Sequence, residues 1–99
     1  MTELDLLTKF GVWYLEQCNG IWEHNASASI QKLDNPGWIV RVTLRGTRFQ
    51  DAVFEPIKID KGENDWLECS AKEAIFTGAG DLSKISTILE VFLKFVGKV

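Results

Sequence analysis

The sequence predicts an α+β domain, in which an antiparallel β-sheet of four or five strands carries an N-terminal and a C-terminal helix packed on one face. Three observations predict this fold class. Apolar residues recur at helical spacing in the first and last segments, they alternate with polar residues in between, and short turns join the alternating segments. Strands that follow one another through short turns pair antiparallel, and their apolar face needs a cover. The expected order of elements is therefore α-β-β-β-β-α.

The length and composition of the chain predict a single domain over residues 1–99. Apolar residues make up 45% of the sequence, which is enough for one core in a chain of this length. The net charge of −3 argues against nucleic-acid binding, which requires clustered Lys and Arg to neutralise phosphates. The chain starts without the basic and apolar regions of a signal peptide, and no apolar run approaches the ~18–20 residues that cross a bilayer. We therefore expect a cytoplasmic protein without a membrane partner.

The first helix is expected to start at an N-cap, Thr2, which pairs with Asp5, and to stop at Asn19-Gly20. Its helical spacing predicts a broad apolar face. The residues of that face are Leu4, Leu6, Leu7, Phe10, Trp13, Tyr14 and Leu15.

The strands are predicted from alternation and from turn residues. They are expected at residues 27–32, 38–44, 49–60, 66–71 and 75–77. Asn35-Pro36-Gly37 is a strong turn signal, because Pro presets φ and Gly accepts a positive φ. Pro56 cannot donate to a strand ladder, so its strand is expected at an edge or a bulge. A turn is expected at Lys72-Glu73, and Gly78-Ala79-Gly80 is expected to end the last strand.

The C-terminal helix has the clearest amphipathic pattern in the sequence. Its apolar stripe comprises Leu82, Ile85, Ile88, Leu89, Phe92, Phe95 and Val96. Asp81 is expected to cap the first turn, and Gly97 lies where the helix should stop. Lys94 and Lys98 suit the negative end of the helix dipole.

Cys18, Glu23 and His24 are the residue types that an active site would use. If residues 22–24 form extended backbone, Glu23 points away from Trp22 and His24 and cannot orient the imidazole. One histidine provides too few ligands for a metal site, and Cys18 in the last helical turn is expected to be an inert thiol. We therefore predict no catalytic residues, no metal site and no cofactor. The alternative is a small ligand-binding protein or enzyme that uses Cys18, Glu23 and His24 around a pocket.

Aromatic and acidic side chains suggest a different kind of site, a surface for another protein. Trp38 and Trp66 are expected to pack over the sheet, whereas Trp22 is the candidate for an exposed aromatic anchor of a binding surface. Acidic residues near predicted turns and strand ends would form a negative rim for a basic partner, although each one alone is more simply a surface charge. These residues are Glu23, Asp34, Asp60, Glu63, Asp65 and Glu68.

Two stretches, WYLEQCNGIWEH (residues 13–24) and LDNPGWIVRVTLRGT (residues 33–47), together resemble the immunity protein 53 family of bacterial polymorphic toxin systems. Residues 65–96 are similar to the C-terminal strand pair and helix of that family. Asn19 stands where an aspartate is expected, and Ile21 stands where a polar residue is more usual. Neither difference threatens the turn between them.

The resemblance implies an intracellular antidote that binds a cognate toxin domain and blocks it without catalysis. Carried over by position, the family motif includes three polar residues with no evident structural role, Glu23, His24 and Asp34. Together with Trp22 as the aromatic anchor, these are the implied toxin contacts. We expect a monomer or a weak homodimer. A scaffold that associates through an exposed sheet edge is a further alternative.

Overall fold

The computed structural model describes residues 3–98 and shows a five-stranded antiparallel sheet between an N-terminal and a C-terminal helix. The helices are α1 (Glu3–Gln17), α2 (Trp22–Asn25) and α3 (Ile85–Phe95). The strands are β1 (Ala28–Leu33), β2 (Gly37–Thr43), β3 (Ile57–Asp60), β4 (Trp66–Lys72) and β5 (Ile75–Gly80). This architecture confirms the predicted fold class and adds the short helix α2.

The strands lie in the spatial order β1-β2-β5-β4-β3, and every neighbouring pair is antiparallel. Short turns close the β1–β2, β3–β4 and β4–β5 hairpins, whereas residues 44–56 carry the chain from β2 to the far edge of the sheet. The strand β5 therefore lies at the centre, and β1 and β3 form the edges. Pro56 directly precedes edge strand β3 and lies in no strand, so its missing N–H removes no bond from the sheet.

One face of the sheet carries the core. The strand register places Val40, Gly78 and Cys69 side by side on that face, and α3 packs directly against it. A Cβ atom at position 78 would lie 2.6 Å from Ile88 Cγ2, so the glycine allows the helix to approach the backbone of the sheet closely. Helix α1 packs against α3 and adds its buried side chains to the same core, so both long helices cover one face.

Aromatic rings join α1, α3 and the sheet around Phe92, which is completely buried. Its ring centroid lies 4.9 Å from that of Trp13, 5.4 Å from that of Phe10 and 5.1 Å from that of Phe76. Edge-to-face ring pairs at these distances stabilise a core beyond the area that they bury. The ring centroid of Phe54, in the connection between β2 and β3, lies 5.6 Å from that of Phe76. This contact attaches the connection to the core although the residues around Phe54 form no strand.

The C-terminal helix ends as predicted, in a Schellman motif at Gly97, whose φ is 76°. The Gly97 N–H donates to the Lys94 carbonyl oxygen at 3.2 Å, and the Lys98 N–H donates to the Leu93 carbonyl oxygen at 2.8 Å. These two bonds satisfy carbonyl groups that the helix end would otherwise leave without donors.

Four expected boundaries are wrong. Residues 78–80 lie within β5 and pair with both neighbouring strands. The two glycines are small because a Cβ atom at position 78 or 80 would collide with Ile88 or Lys84 above the sheet. Helix α3 begins only at Ile85, so Asp81 is not its cap. Residues 49–56 form no strand, and residues 22–24 belong to α2 rather than to extended backbone.

The apolar face of α1 is narrower than its sequence suggests. Leu7 and Leu15 are 47% and 70% exposed, because only one side of the helix reaches α3. The expected cap at Thr2 lies outside the described residues. The β4–β5 turn lies at Glu73-Ala74, one residue later than expected, with positive φ at both positions as in a type I′ hairpin.

Replacing Phe92 with alanine tests the importance of the aromatic cluster. We expect Phe92→Ala to lower the free energy of unfolding by about 3–5 kcal/mol, because it removes a fully buried ring and leaves a cavity. Urea denaturation followed by circular dichroism measures the change. Val53→Ala is the control, since Val53 is 91% exposed and its truncation should change stability by less than about 0.5 kcal/mol. Equal losses for the two variants would contradict this account of the core.

Candidate functional site

The candidate reactive residues lie in a tight connection between α1 and β1, which we call the corner segment (residues 18–25). The chain leaves α1 after Gln17, turns through residues 18–21, and enters the four-residue helix α2 before β1 begins at Ala28. The corner segment therefore lies at the end of the sheet where β1 starts and β2 finishes.

Trp22 forms the inner side of the corner segment and is only 7% exposed. Its ring centroid lies 4.8 Å from that of Tyr14 and 6.4 Å from that of Trp13. The indole N–H donates to the Arg45 carbonyl oxygen at 2.7 Å. Trp22 thus fixes the corner segment to α1 and to the loop after β2, and only a small part of its surface is left for a partner. Its predicted role as a toxin contact stays a prediction.

Asn19 and Glu23 hold the backbone of the corner segment through reciprocal hydrogen bonds. The Asn19 side-chain oxygen accepts from the N–H groups of Ile21 and Trp22 at 2.9 and 2.8 Å. The Glu23 carboxylate accepts from the N–H groups of Asn19 and Gly20, both at 2.9 Å at the closest oxygen. This exchange resembles a capping box, and it explains why asparagine can replace an aspartate at position 19, since both supply the acceptor oxygen.

The structural role of Glu23 was missed in the sequence, where its carboxylate was interpreted as free for a partner. Backbone N–H donors, first its own and then those of Asn19 and Gly20, lower the pKa of Glu23, partly opposed by burial. The charge of His24 acts in the same direction. Glu23 is therefore ionised at neutral pH, and both of its carboxylate oxygens accept hydrogen bonds from backbone N–H groups.

Cys18, Glu23 and His24 do not converge on a shared centre. The Cys18 thiol donates to the Tyr14 carbonyl oxygen at 3.5 Å, the Glu23 carboxylate binds backbone N–H groups, and the His24 side chain is exposed. Across residues 3–98, no hydrogen bond joins any two of these three side chains, and no group of acidic, His or Cys residues is arranged to hold a metal ion. The geometry therefore gives no support to the alternative of an enzyme built on these residues.

The second cysteine, Cys69, belongs to the core. It is 2% exposed on the inner face of β4, and burial raises the pKa of its thiol to about 11. A thiol with that pKa stays protonated and unreactive at neutral pH. Both Cys18 and Cys69 are free thiols.

Asp34, the fourth predicted contact residue, lies far from the other three. It is in the β1–β2 turn, whereas the corner segment precedes the start of β1. The six residues of β1 separate the two places by roughly 20 Å. The Asp34 side chain is exposed and has no hydrogen bond or ion pair among residues 3–98.

A cavity of about 430 Å³ opens between the corner segment and the ends of β2 and β5. Ile21 and Ile75 line it and are 71% and 42% exposed, and Arg45 stands at its polar edge. Apolar side chains surrounded by polar groups are the usual anatomy of a protein contact surface. The sequence interpretation missed both isoleucines. The one signal in the sequence was Ile21 itself, which stands where the family that this chain resembles more usually has a polar residue.

A polar network stabilises the other end of the sheet around Asp81, which is 3% exposed. Its carboxylate accepts from the Trp66 N–H, the Ser83 N–H and the Lys84 ammonium at 2.9, 2.8 and 2.9 Å. Burial opposes ionisation, but the hydrogen bonds from Lys84, Ser83 and Trp66 outweigh it and hold the pKa of Asp81 well below its usual range. Asp65 adds a second contact to Lys84 at 2.9 Å, and both carboxylates raise the pKa of Lys84.

The fold and the site together define a small α+β domain whose conspicuous polar motif residues support turns or face solvent instead of forming a reactive centre. A family model described as Immunity protein 53 matches residues 7–97, which is nearly the whole chain, and the chain therefore belongs to the immunity protein 53 family. This match confirms the resemblance found in the sequence. Searches of curated proteins and of solved structures returned no match. None of the helices within residues 3–98 has the length and apolarity that crossing a bilayer would require.

A substitution at Gly46 tests how tightly Trp22 is held. A Cβ atom at position 46 would lie 2.9 Å from Trp22 Cδ1, and the backbone there has a φ of 82°. We expect Gly46→Ala to destabilise the protein by about 2–4 kcal/mol, the sum of a positive-φ cost and overlap with the ring. Gly97→Ala is the matched control, because its φ is 76° but nothing lies within 4 Å of the added atom, so it should cost only about 1–2 kcal/mol. Thermal unfolding compares the two, and an equal loss would mean that Trp22 can move aside.

The low pKa of Asp81 predicts a particular loss of stability in acid. Because the folded-state pKa lies below the ordinary value of about 4, the stabilisation is complete above that pH and is lost as the pH falls towards the folded-state pKa. We expect Asp81→Asn to cost about 2–3 kcal/mol at neutral pH and to flatten the acid dependence of unfolding. Asp65→Asn should cost less than about 1 kcal/mol, because the Asp65 side chain is 54% exposed and Lys84 keeps its contact with Asp81. Denaturation series between neutral and acidic pH test this, and an unchanged acid profile in Asp81→Asn would contradict it.

Proposed function

We propose that this chain is an immunity protein that binds and neutralises a cognate toxin domain of a bacterial polymorphic toxin system by non-catalytic protein–protein contact. The observation that carries the proposal is the family match over residues 7–97. Such a protein would act in the cytoplasm of the producing cell, as a monomer or a weak homodimer that forms a complex with the toxin.

The arrangement of the corner segment supports a binding role. Its backbone is fixed by the Asn19 and Glu23 hydrogen bonds and by the buried Trp22 ring, so little conformational freedom is lost when a partner binds. Ile21 and His24 project from this rigid base into solvent. A preorganised apolar contact with a polar neighbour suits recognition of a protein surface.

Asp34 and the corner segment can both belong to one interface despite their separation. A standard interface of about 800 Å² per partner is roughly 30 Å across, which exceeds the length of β1. We therefore retain Glu23, His24 and Asp34 as proposed toxin contacts, add Ile21, and assign Trp22 mainly to support of that surface.

Co-expression with the toxin domain encoded by the adjacent gene tests the proposal. We expect the chain to restore growth of cells that express the toxin, and the purified proteins to associate with a dissociation constant in the nanomolar class. Isothermal titration calorimetry measures that constant. If the purified chain neither binds the toxin domain nor protects cells from it, the proposal is wrong.

Variants of the corner segment locate the contact once the complex is in hand. We expect Ile21→Asp to weaken toxin binding by about tenfold or more, because it places a charge in an apolar contact, and His24→Ala to weaken it by a smaller factor. Thr87→Ala on α3 is the control at an exposed position outside the segment. Melting temperatures should be unchanged in all three. Unaltered affinity in Ile21→Asp would remove the corner segment from the interface.

A further inference from the structure

The end of the sheet opposite the corner segment carries a cavity of about 470 Å³ beside the start of β4. Its wall is formed by the ring of Trp66 together with residues of the β1–β2 turn, of β3, of the β3–β4 turn and of β4. We call this feature the Trp66 cup, and its charged, polar and aromatic side chains are Asn35, Lys58, Asp60, Glu63, Trp66 and Glu68. A smaller adjoining cavity of about 210 Å³ shares Asn35, Glu63 and Trp66 with it.

Trp66 lies on the face of the sheet that the helices leave open. Its neighbour Leu67 is 3% exposed on the core face, and successive side chains of a strand point to opposite faces. The Trp66 ring reaches across the end of β5 to β2, where a Cβ atom at Gly37 would lie 3.1 Å from Trp66 Cζ2. The absence of a side chain at Gly37 therefore leaves room for the partly exposed ring of Trp66.

The backbone of Trp66 is held on both sides by a single buried residue. The Trp66 N–H donates to the Asp81 carboxylate at 2.9 Å, and the Trp66 carbonyl oxygen accepts from the Asp81 N–H at 3.2 Å. Asp81 is in turn held by Ser83 and Lys84. The aromatic wall of the cup is thus preorganised, which limits the entropy lost when a ligand packs against it.

The charges around this ring are mainly negative. Three carboxylates and one lysine, Lys58, line the cavity, and Lys58 is already paired with Glu68 at 3.6 Å. Asp60 accepts only the Gly62 N–H at 3.2 Å, and Glu63 has no hydrogen bond or ion pair among residues 3–98. Two carboxylates therefore face the cavity beside the ring without a cationic partner among the described residues.

This combination selects a planar cation. The face of a tryptophan ring attracts a guanidinium or ammonium group, and carboxylates form charge-assisted hydrogen bonds with the same group. An acidic side chain would be repelled by the carboxylates. An apolar side chain would cover them without replacing the hydrogen bonds that they make to water. Arginine fits better than lysine, because its flat guanidinium can stack on the ring while its N–H groups reach the carboxylates.

We propose that the Trp66 cup receives an arginine side chain of the toxin domain. The identity of the partner rests on the proposed function, whereas the preference of the cup for arginine rests on its own geometry. The exposed Asp34 lies next to Asn35 and would extend the same negative surface. Under this proposal, the toxin contacts the end of the sheet at the Trp66 cup as well as at the corner segment.

A peptide titration tests the cup without requiring the toxin. The ¹⁵N-labelled full chain is titrated with acetyl-Gly-Arg-Gly-amide, and the Trp66 indole N–H signal, identified by its loss in Trp66→Phe, is followed by NMR. We expect a saturable shift at millimolar peptide concentration, a weaker shift with the lysine peptide, and none with the uncharged citrulline peptide. Glu63→Gln should reduce the shift, whereas Glu55→Gln, an identical change at an exposed position before the other end of β3, should not. No shift with arginine, or equal shifts with arginine and citrulline, overturns the proposal.

A second measurement uses the toxin domain that the chain neutralises. We expect Glu63→Gln to weaken binding by about tenfold and to reduce its dependence on salt, while Glu55→Gln binds as the wild type. Glu63 is exposed, so this variant should fold normally, and its melting temperature confirms that. If the wild type fails to bind, the proposed function fails, and the peptide titration alone decides about the cup. If the wild type binds and Glu63→Gln binds equally well, the cup does not receive the toxin.

Discussion

The close packing of α3 on the glycine-containing centre of the sheet is the constraint on which the rest of the structure depends. Because Gly78 has no side chain, Ile88 of α3 packs directly against the backbone of β5. This close approach brings Phe92 into contact with Phe76 of the sheet and brings α3 into contact with α1. A bulkier side chain in the middle of β5 would lift the helix and open the aromatic cluster. The core of this small domain is therefore organised around one helix, and α1 is held mainly through that helix rather than by the strands.

Covering one face leaves the opposite face and the two ends of the sheet for function. At one end, Asn19 and Glu23 exchange hydrogen bonds with the backbone and Trp22 anchors the turn, so a motif that contains Cys, Glu and His builds a rigid corner. At the other end, Asp81 fixes Trp66 beside exposed carboxylates. In both places, polar side chains form hydrogen bonds with the backbone and so hold an exposed neighbouring residue rigid. A rigid exposed residue loses little conformational entropy when a partner binds, which favours a tight complex. Membership of the immunity protein 53 family agrees with a molecule of this kind.

Residue types alone are a poor guide to chemistry at the corner segment. Cys18, Glu23 and His24 lie within seven positions of one another, yet their side chains interact with a helical carbonyl group, with backbone N–H groups and with solvent. A reactive centre needs groups within hydrogen-bond reach of each other and of a substrate. Here each group is directed elsewhere by the tight turn, so closeness in sequence produces no common site.

The sequence by itself determined the elements whose signals are local. Helical spacing predicted α1 and α3, alternation predicted the strands around Asn35-Pro36-Gly37, and Gly97 marked the end of the last helix. Only the tertiary structure decided the strand order, the burial of Trp22 and the extension of β5 through three residues that resemble a loop. It also brought Asp81 to Trp66, fifteen positions away in the chain, and the Trp66 ring to Gly37. The physical reason is that periodicity reports which face of an element is apolar, whereas strand register and the approach of a helix decide which distant side chains meet on that face.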